Sequence, residues 1–249
     1  MAGRQKLRIL CFGDSLTAGY TQMGSVYHPY EETLRQMLEM AFPDVDIETV
    51  EDGKPGDTVK HGFLPRIQKN FPFKKQDDES YDWTIVLGGT NDIAYSIKPE
   101  DIFEKLKQVW EVPLRRKSKV LALTVPEAGV FREQLNARRT ALNDLIKGYK
   151  RDGFHVFDLH SAVPYFAMSA QDQERYWDDG VHFTSDGYDL IGNKVGISLV
   201  SILAKERAAN TPAKKRRVFR DDEKSFEEEV GDPTAIDQGY IVVRRKDLD

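Results

Sequence analysis

Short apolar runs recur along the chain, and longer segments with apolar positions three and four apart separate them. LRILCF (7–12) is apolar except at Arg8, the pattern of a strand buried on both faces. PYEETLRQMLEMAF (29–42) has helical spacing, with Pro29 suited to a first turn. DIETV (46–50) reads as a second strand. TVKHGFLPRIQ (58–68) reads as a short helix that Pro65 would break. TIVLGG (84–89) is a third strand. In PEDIFEKLKQVWEV (99–112), Ile102, Leu106, Val109 and Trp110 form one face of a helix. KVLALTV (119–125) is a fourth strand, stopped by Pro126. A long amphipathic helix is expected over 131–152 and a fifth strand over FHVFDL (154–159). The last helix is expected over 185–207, with Ser185 as its cap. Strands alternating with helices predict βαβ units. The expected fold is a three-layer α/β/α sandwich, with a mostly parallel sheet of about five strands.

The pattern changes after Ala208, where aliphatic residues thin out and like charges cluster. Two regions are therefore expected: a folded domain over 1–208 and a charged tail over 209–249. Within the tail, KKRR (214–217) would be read as a nuclear localisation signal or an anion contact on its own. The acidic block from Asp221 to Glu229 follows at once, which favours a self-neutralising tail. GYIVVRR (239–245) is the one stretch suited to docking as an extra edge strand.

Composition narrows the function. Over 249 residues, 40% are hydrophobic and 31% charged, a globular balance with material for a sizeable core. The net charge of -5 argues against a general nucleic-acid binder. A lone cysteine, Cys11, allows no internal disulfide and fits a reducing compartment. The 7–12 run is too short for a signal-peptide core, and no run approaches the roughly 20 apolar residues of a membrane span. Cytoplasmic location is the expectation, with no membrane span and no nucleic-acid partner.

In an open parallel sheet, ligands bind beyond the carboxyl ends of the strands. Four polar stretches fall at that edge: GDS with Ser15, DGKPGDT (52–58) with Gly56, GGTND (88–92) with Asn91, and WDDGVHFT (177–184) with Asp179 and His182. A serine hydroxyl is a weak nucleophile without an adjacent base, and the base needs an orienting partner. His182 suits the base role. Asp179, three residues earlier, suits the partner role better than Asp178. Three donors are available to a developing oxyanion: the N–H groups of Ser15 and Gly56 and the side-chain amide of Asn91.

The blocks GDSLTAG, GKPGDT, GGTND and DDGVHFTSDGY, in this order, resemble the GDSL or SGNH hydrolases over about residues 7–205. The resemblance implies a flavodoxin-like α/β/α fold and esterase or lipase activity, without a metal or organic cofactor. It implies Ser15 as nucleophile, His182 as base, Asp179 as its partner, and Ser15, Gly56 and Asn91 as the oxyanion hole. Members often carry a small polar residue where this chain has Pro55. Taken singly, Ser15 would be a helix cap, Asn91 a turn residue and His182 a surface histidine; four blocks in order outweigh those readings.

The remaining candidates are weaker. Asp14 is expected to hold the Ser15 loop, His155 and His160 to be structural, and Cys11 to be a buried strand residue. His61 is a candidate pocket residue. His28, Tyr27 and Tyr30 form either a substrate wall or ordinary packing. The expected reaction is hydrolysis of carboxylic esters of small or medium acyl chains through an acyl-enzyme. A carbohydrate O-acetyl esterase and a lysophospholipase are variants of the same chemistry. A catalytically silent binding domain, using its tail for interaction, is the rival of another class.

Overall fold

The first strand of the chain buries its last five residues completely. The structure, a computed structural model, describes residues 5–72 and 80–210. That strand, β1 (Gln5–Gly13), leads directly into the short helix α1 (Ser15–Ala18). Two antiparallel strands, β2 (Tyr20–Thr21) and β3 (Val26–Tyr27), form a small hairpin. Helix α2 (Tyr30–Ala41) crosses to β4 (Val45–Gly53). A π-helical turn over Val59–Phe63 runs into α3 (Leu64–Asn70). Then come β5 (Trp83–Leu87), α4 (Thr90–Ala94), α5 (Pro99–Arg115), β6 (Lys119–Leu123), α6 (Glu133–Gly148) and β7 (Phe154–Phe157). Two short helices, α7 (Leu159–Ala162) and α8 (Ala170–Tyr176), precede α9 (Ser185–Asn210).

The five-stranded sheet has the order β4-β1-β5-β6-β7, and every pairing in it is parallel. This is the expected flavodoxin-like order. The chain crosses to one side of β1 to reach β4 and to the other side to reach β5. The carboxyl ends of β1 and β5 therefore flank the point of reversal, the usual ligand position in sheets of this kind.

Alternate residues of each strand feed two cores, as the period of two requires. Ile9 and Cys11 pack with Leu34, Leu38, Ile191 and Val195 on the α2 and α9 side. Leu10 and Phe12 pack with Ile67, Leu106, Trp110 and Leu142 on the other side. Each such aliphatic side chain contributes about 1.5–3 kcal/mol when fully buried.

The structure alters several sequence-based boundaries. Pro65 does not break its helix; it occupies the first turn of α3, where a missing N–H leaves nothing unsatisfied. β4 continues to Gly53, because β1 pairs with it in register over nine residues from Gln5↔Val45 to Gly13↔Gly53. β6 and β7 end two residues earlier than expected, at Leu123 and Phe157. The basic run 214–217 and the stretch 239–245 lie outside the described residues, as does the tail beyond its first two residues. No helix of the described residues is long and apolar enough to cross a membrane.

Candidate active site

Asp14 starts the site. It caps α1, its side chain accepting from the Leu16 N–H at 3.0 Å, and so turns the chain sharply at the end of β1. The turn is tight: a Cβ at Gly13 would come within 2.1 Å of the Thr17 hydroxyl and 2.5 Å of the Leu87 carbonyl. Ser15 thereby becomes the first helical residue, 7% exposed. Burial raises the Asp14 carboxyl to about 7, and the neighbouring Asp92 carboxylate adds to the rise. The Leu16 N–H and Arg66 oppose it.

Ser15 Oγ lies 2.9 Å from His182 Nε2, and His182 Nδ1 lies 2.8 Å from Asp179 Oδ2. The loop bearing both residues is pinned at its base. Trp177 bridges to Phe183, and the Asp178 N–H donates to the His182 carbonyl at 2.9 Å. Asp179 Oδ1 also accepts from the N–H groups of Val181 and His182, at 2.9 and 2.7 Å. Burial alone would raise the Asp179 carboxyl; the hydrogen bonds from His182 and Val181 outweigh it and hold the group below its ordinary value. In such a series an ionised carboxylate favours the proton on Nδ1, the arrangement in which Nε2 can accept from a hydroxyl. Asp178 points elsewhere, accepting from the Gln22 N–H at 2.6 Å. The Tyr20 ring lies 4.5 Å from the His182 ring.

Gly56 sits at the tip of the loop after β4, with φ +76°. The Asp57 N–H donates to the Lys54 carbonyl at 3.0 Å. Proline followed by a glycine of positive φ inside that four-residue turn is the pattern of a type II turn. A side chain at 56 would meet nothing within 4 Å, so the dihedral and not crowding favours glycine there. Asn91, in the first turn of α4, donates its side-chain amide to the Asp57 carbonyl at 2.8 Å. Asp92 accepts from the N–H groups of Val59 and Lys60 at 2.9 and 3.0 Å, tying the same two segments together again.

The structure thus brings Ser15, Asp179 and His182 into one hydrogen-bonded series and sets Asn91 against the loop of Gly56. The other candidates scatter. Tyr30 is fully buried in the core and is packing rather than a substrate wall. His28 pairs with Asp189 at 2.9 Å. Tyr27 is exposed, its ring 6.0 Å from that of Tyr20. His61 is exposed near Asp92. His155 lies against Trp83, and His160 lies 3.9 Å from Glu127. Cys11 is buried, and burial pushes its thiol up. Two features of the surroundings carried no sequence signal: Arg66, at the side of the site, and an apolar rim. Among the described residues, nine large apolar side chains are exposed. Seven of them (Met23, Val26, Tyr27, Tyr95, Val130, Phe131 and Phe166) lie in segments following the sheet's carboxyl ends, leaving only Met40 and Ile197 elsewhere. The Gly129 N–H donates to the Gly180 carbonyl at 2.6 Å, which sets the 130–131 segment beside the His182 loop.

Among the described residues, no group of three or more histidine, cysteine, aspartate or glutamate side chains is placed to hold a metal ion. The family model described as the GDSL-like lipase/acylhydrolase family matches residues 11–190. Solved structures share the fold. The lipase/acylhydrolase from Enterococcus faecalis is 22% identical, with 79% of this chain and 96% of that one covered and a TM-score of 0.59. LAE5, an alpha/beta hydrolase from the metagenome of Lake Arreo, Spain, is 20% identical over 79% of this chain and 96% of its own, with a TM-score of 0.62. Axe2, an acetyl-xylooligosaccharide esterase from Geobacillus, solved as a point mutant, is 15% identical over 78% and 94%, with a TM-score of 0.61. No curated protein matches the chain.

Proposed function

The chain belongs to the GDSL-like lipase/acylhydrolase family, an ester-hydrolase family, and on that premise we propose that it cleaves carboxylic esters of small or medium acyl chains through an acyl-enzyme on Ser15. The observation that carries this reading is the hydrogen-bonded series Ser15 Oγ, His182 Nε2, His182 Nδ1, Asp179 Oδ2, with links of 2.9 and 2.8 Å. Ser15 Oγ attacks the ester carbonyl carbon while its proton passes to His182 Nε2. The carbonyl oxygen becomes an oxyanion, held by the N–H groups of Ser15 and Gly56 and by the Asn91 amide. The tetrahedral species collapses, the alkoxide leaves, and it takes the proton from Nε2. Water then attacks the acyl-enzyme, giving a proton to Nε2. That proton returns to Ser15 Oγ as the carboxylic acid departs.

The apolar rim supports a substrate with an apolar acyl part. Covering exposed aromatic surface is favourable by about 25 cal/mol per Å², and the rim lies on the same edge of the sheet as Ser15. A lone buried Cys11 fits a cytoplasmic setting.

The test is turnover of p-nitrophenyl esters from acetate to dodecanoate by wild type and Ser15→Ala side by side. Wild-type turnover with an optimum at short or medium chains, and a mutant at background, is expected. Equal activity of the two proteins would remove Ser15 from the mechanism. Inactivity of both on every ester would favour the silent binding domain, and an optimum at acetate alone would favour O-acetyl ester substrates.

A further inference from the structure

The side chain of Arg66 reaches three separate segments at once. Nη2 donates to the carbonyl of Gly13, the residue that ends β1 two positions before Ser15. Nη1 donates to the Asp52 carbonyl and to Asp52 Oδ1, both at 2.7 Å, near the end of β4. Nε forms an ion pair with Asp57 Oδ2 at 3.1 Å, on the residue after Gly56, without the alignment of a hydrogen bond. The guanidinium lies over the Phe12 ring, 4.2 Å from its centre, and is largely withdrawn from solvent. Asp57 is fixed from its other sides as well. Its Oδ1 accepts from the Thr58 N–H at 3.0 Å, and its carbonyl takes the Asn91 amide.

We propose that Arg66 is a positioning residue for ester hydrolysis: it locks the Ser15 loop and the Gly56 loop in one register, so that their N–H groups aim at the same oxygen. The inference rests on the oxyanion reading given above. The physical reason is geometric. A planar fork can bond two carbonyls and one carboxylate in fixed directions while its charge faces a second carboxylate, and an ammonium cannot. The Gly13 carbonyl is also bonded by the Lys54 N–H at 3.2 Å, so the end of β1 meets the Gly56 turn at two points. Without the guanidinium, the turn is held to β1 only through that backbone bond and the strand pairing that ends at Gly53. Oxyanion donors act only when set in place before the reaction, so a small drift costs turnover more than binding.

The test uses the full chain and p-nitrophenyl acetate or butyrate, whichever wild type turns over faster. Ser15→Ala at background secures the parent reading; Ser15→Ala at wild-type turnover overturns that reading, and this inference with it. With Ser15 secured, Arg66→Ala is expected to lower kcat about 100-fold with KM within about threefold. Arg66→Lys is expected to stay within about threefold of the alanine variant, because it keeps the charge and loses the fork. Added ethylguanidinium at about 20 mM is expected to restore kcat of Arg66→Ala at least about tenfold, and to leave Ser15→Ala unchanged. A kcat near wild type in Arg66→Ala, a loss confined to KM, or full activity in Arg66→Lys overturns the proposal. If Arg66→Ala fails to fold, Asp57→Asn decides: a kcat loss of about tenfold at unchanged Tm supports it, and unchanged kcat overturns it.

Discussion

The side chain of Asn91 donates to the backbone carbonyl of Asp57, 2.8 Å away. The residue after β5 therefore rests on the loop after β4, and one amide group has both a structural contact and a proposed role toward the oxyanion. Asn91→Ala is expected to lower kcat about 100-fold or more, with KM within about threefold, because the lost bond strengthens in the transition state. Steady-state kinetics on p-nitrophenyl butyrate check this. A loss seen in KM alone would contradict it.

Asp179 carries the His182 ring and two backbone N–H groups. Asp179→Asn keeps the shape but cannot hold the imidazole in its useful tautomer, so kcat is expected to fall by roughly 10³–10⁴. The carboxyl is held below its ordinary value in the folded protein. Its contribution to stability is therefore present above the unfolded value of about 4 and lost as pH falls through the folded value. Thermal unfolding of the variant against wild type is expected to differ at neutral pH and to converge in strong acid.

The opposite sign holds for Asp14. Burial raises its carboxyl to about 7 in the folded state. Its contribution is fully present below the unfolded value of about 4 and is lost as pH rises through the folded value. Asparagine caps a helix about as well as aspartate. Asp14→Asn is therefore expected to gain stability relative to wild type between about pH 4 and 8, by on the order of 2–4 kcal/mol, and to level off above. Chemical denaturation across that range checks it, and a pH-independent difference would refute it.

The apolar rim gives a specificity test. Phe131 and Phe166 pack edge to face, ring centres 5.8 Å apart, and both remain exposed. Replacing both with serine is expected to lower the ratio of kcat/KM for hexanoate over acetate by about tenfold, from the apolar surface removed. An unchanged ratio would show that the acyl chain does not reach this wall.

Much of this architecture is readable before any coordinates. The buried strands β1, β5 and β6 are nearly continuous apolar runs, because both faces are covered. The short elements were not legible. α1 has four residues, and β2 and β3 have two each. Such pieces have no periodicity and exist because neighbours hold them, as Asp178 holds the Gln22 N–H. The last residues of β4 carry no strand signal because Glu51 and Asp52 are charged; Arg66 and Asn70, whose partnership with Asp52 is purely tertiary, make a strand tolerable there. Asn91 and His182 stand out in polar blocks at the sheet edge. Arg66 sits in a helix of mixed character, so its four contacts appear only once three loops are placed together.

Ser15 and His182 meet across 167 positions of chain. The end of β1 and the loop before α9 must both be in place before the hydroxyl finds its base. A contact that distant in sequence is rewarded only after the entropy of closing the intervening chain has been met. Turnover is therefore a reporter of completed assembly. During refolding from denaturant it should recover no sooner than the slowest tertiary signal, and later than the helical one.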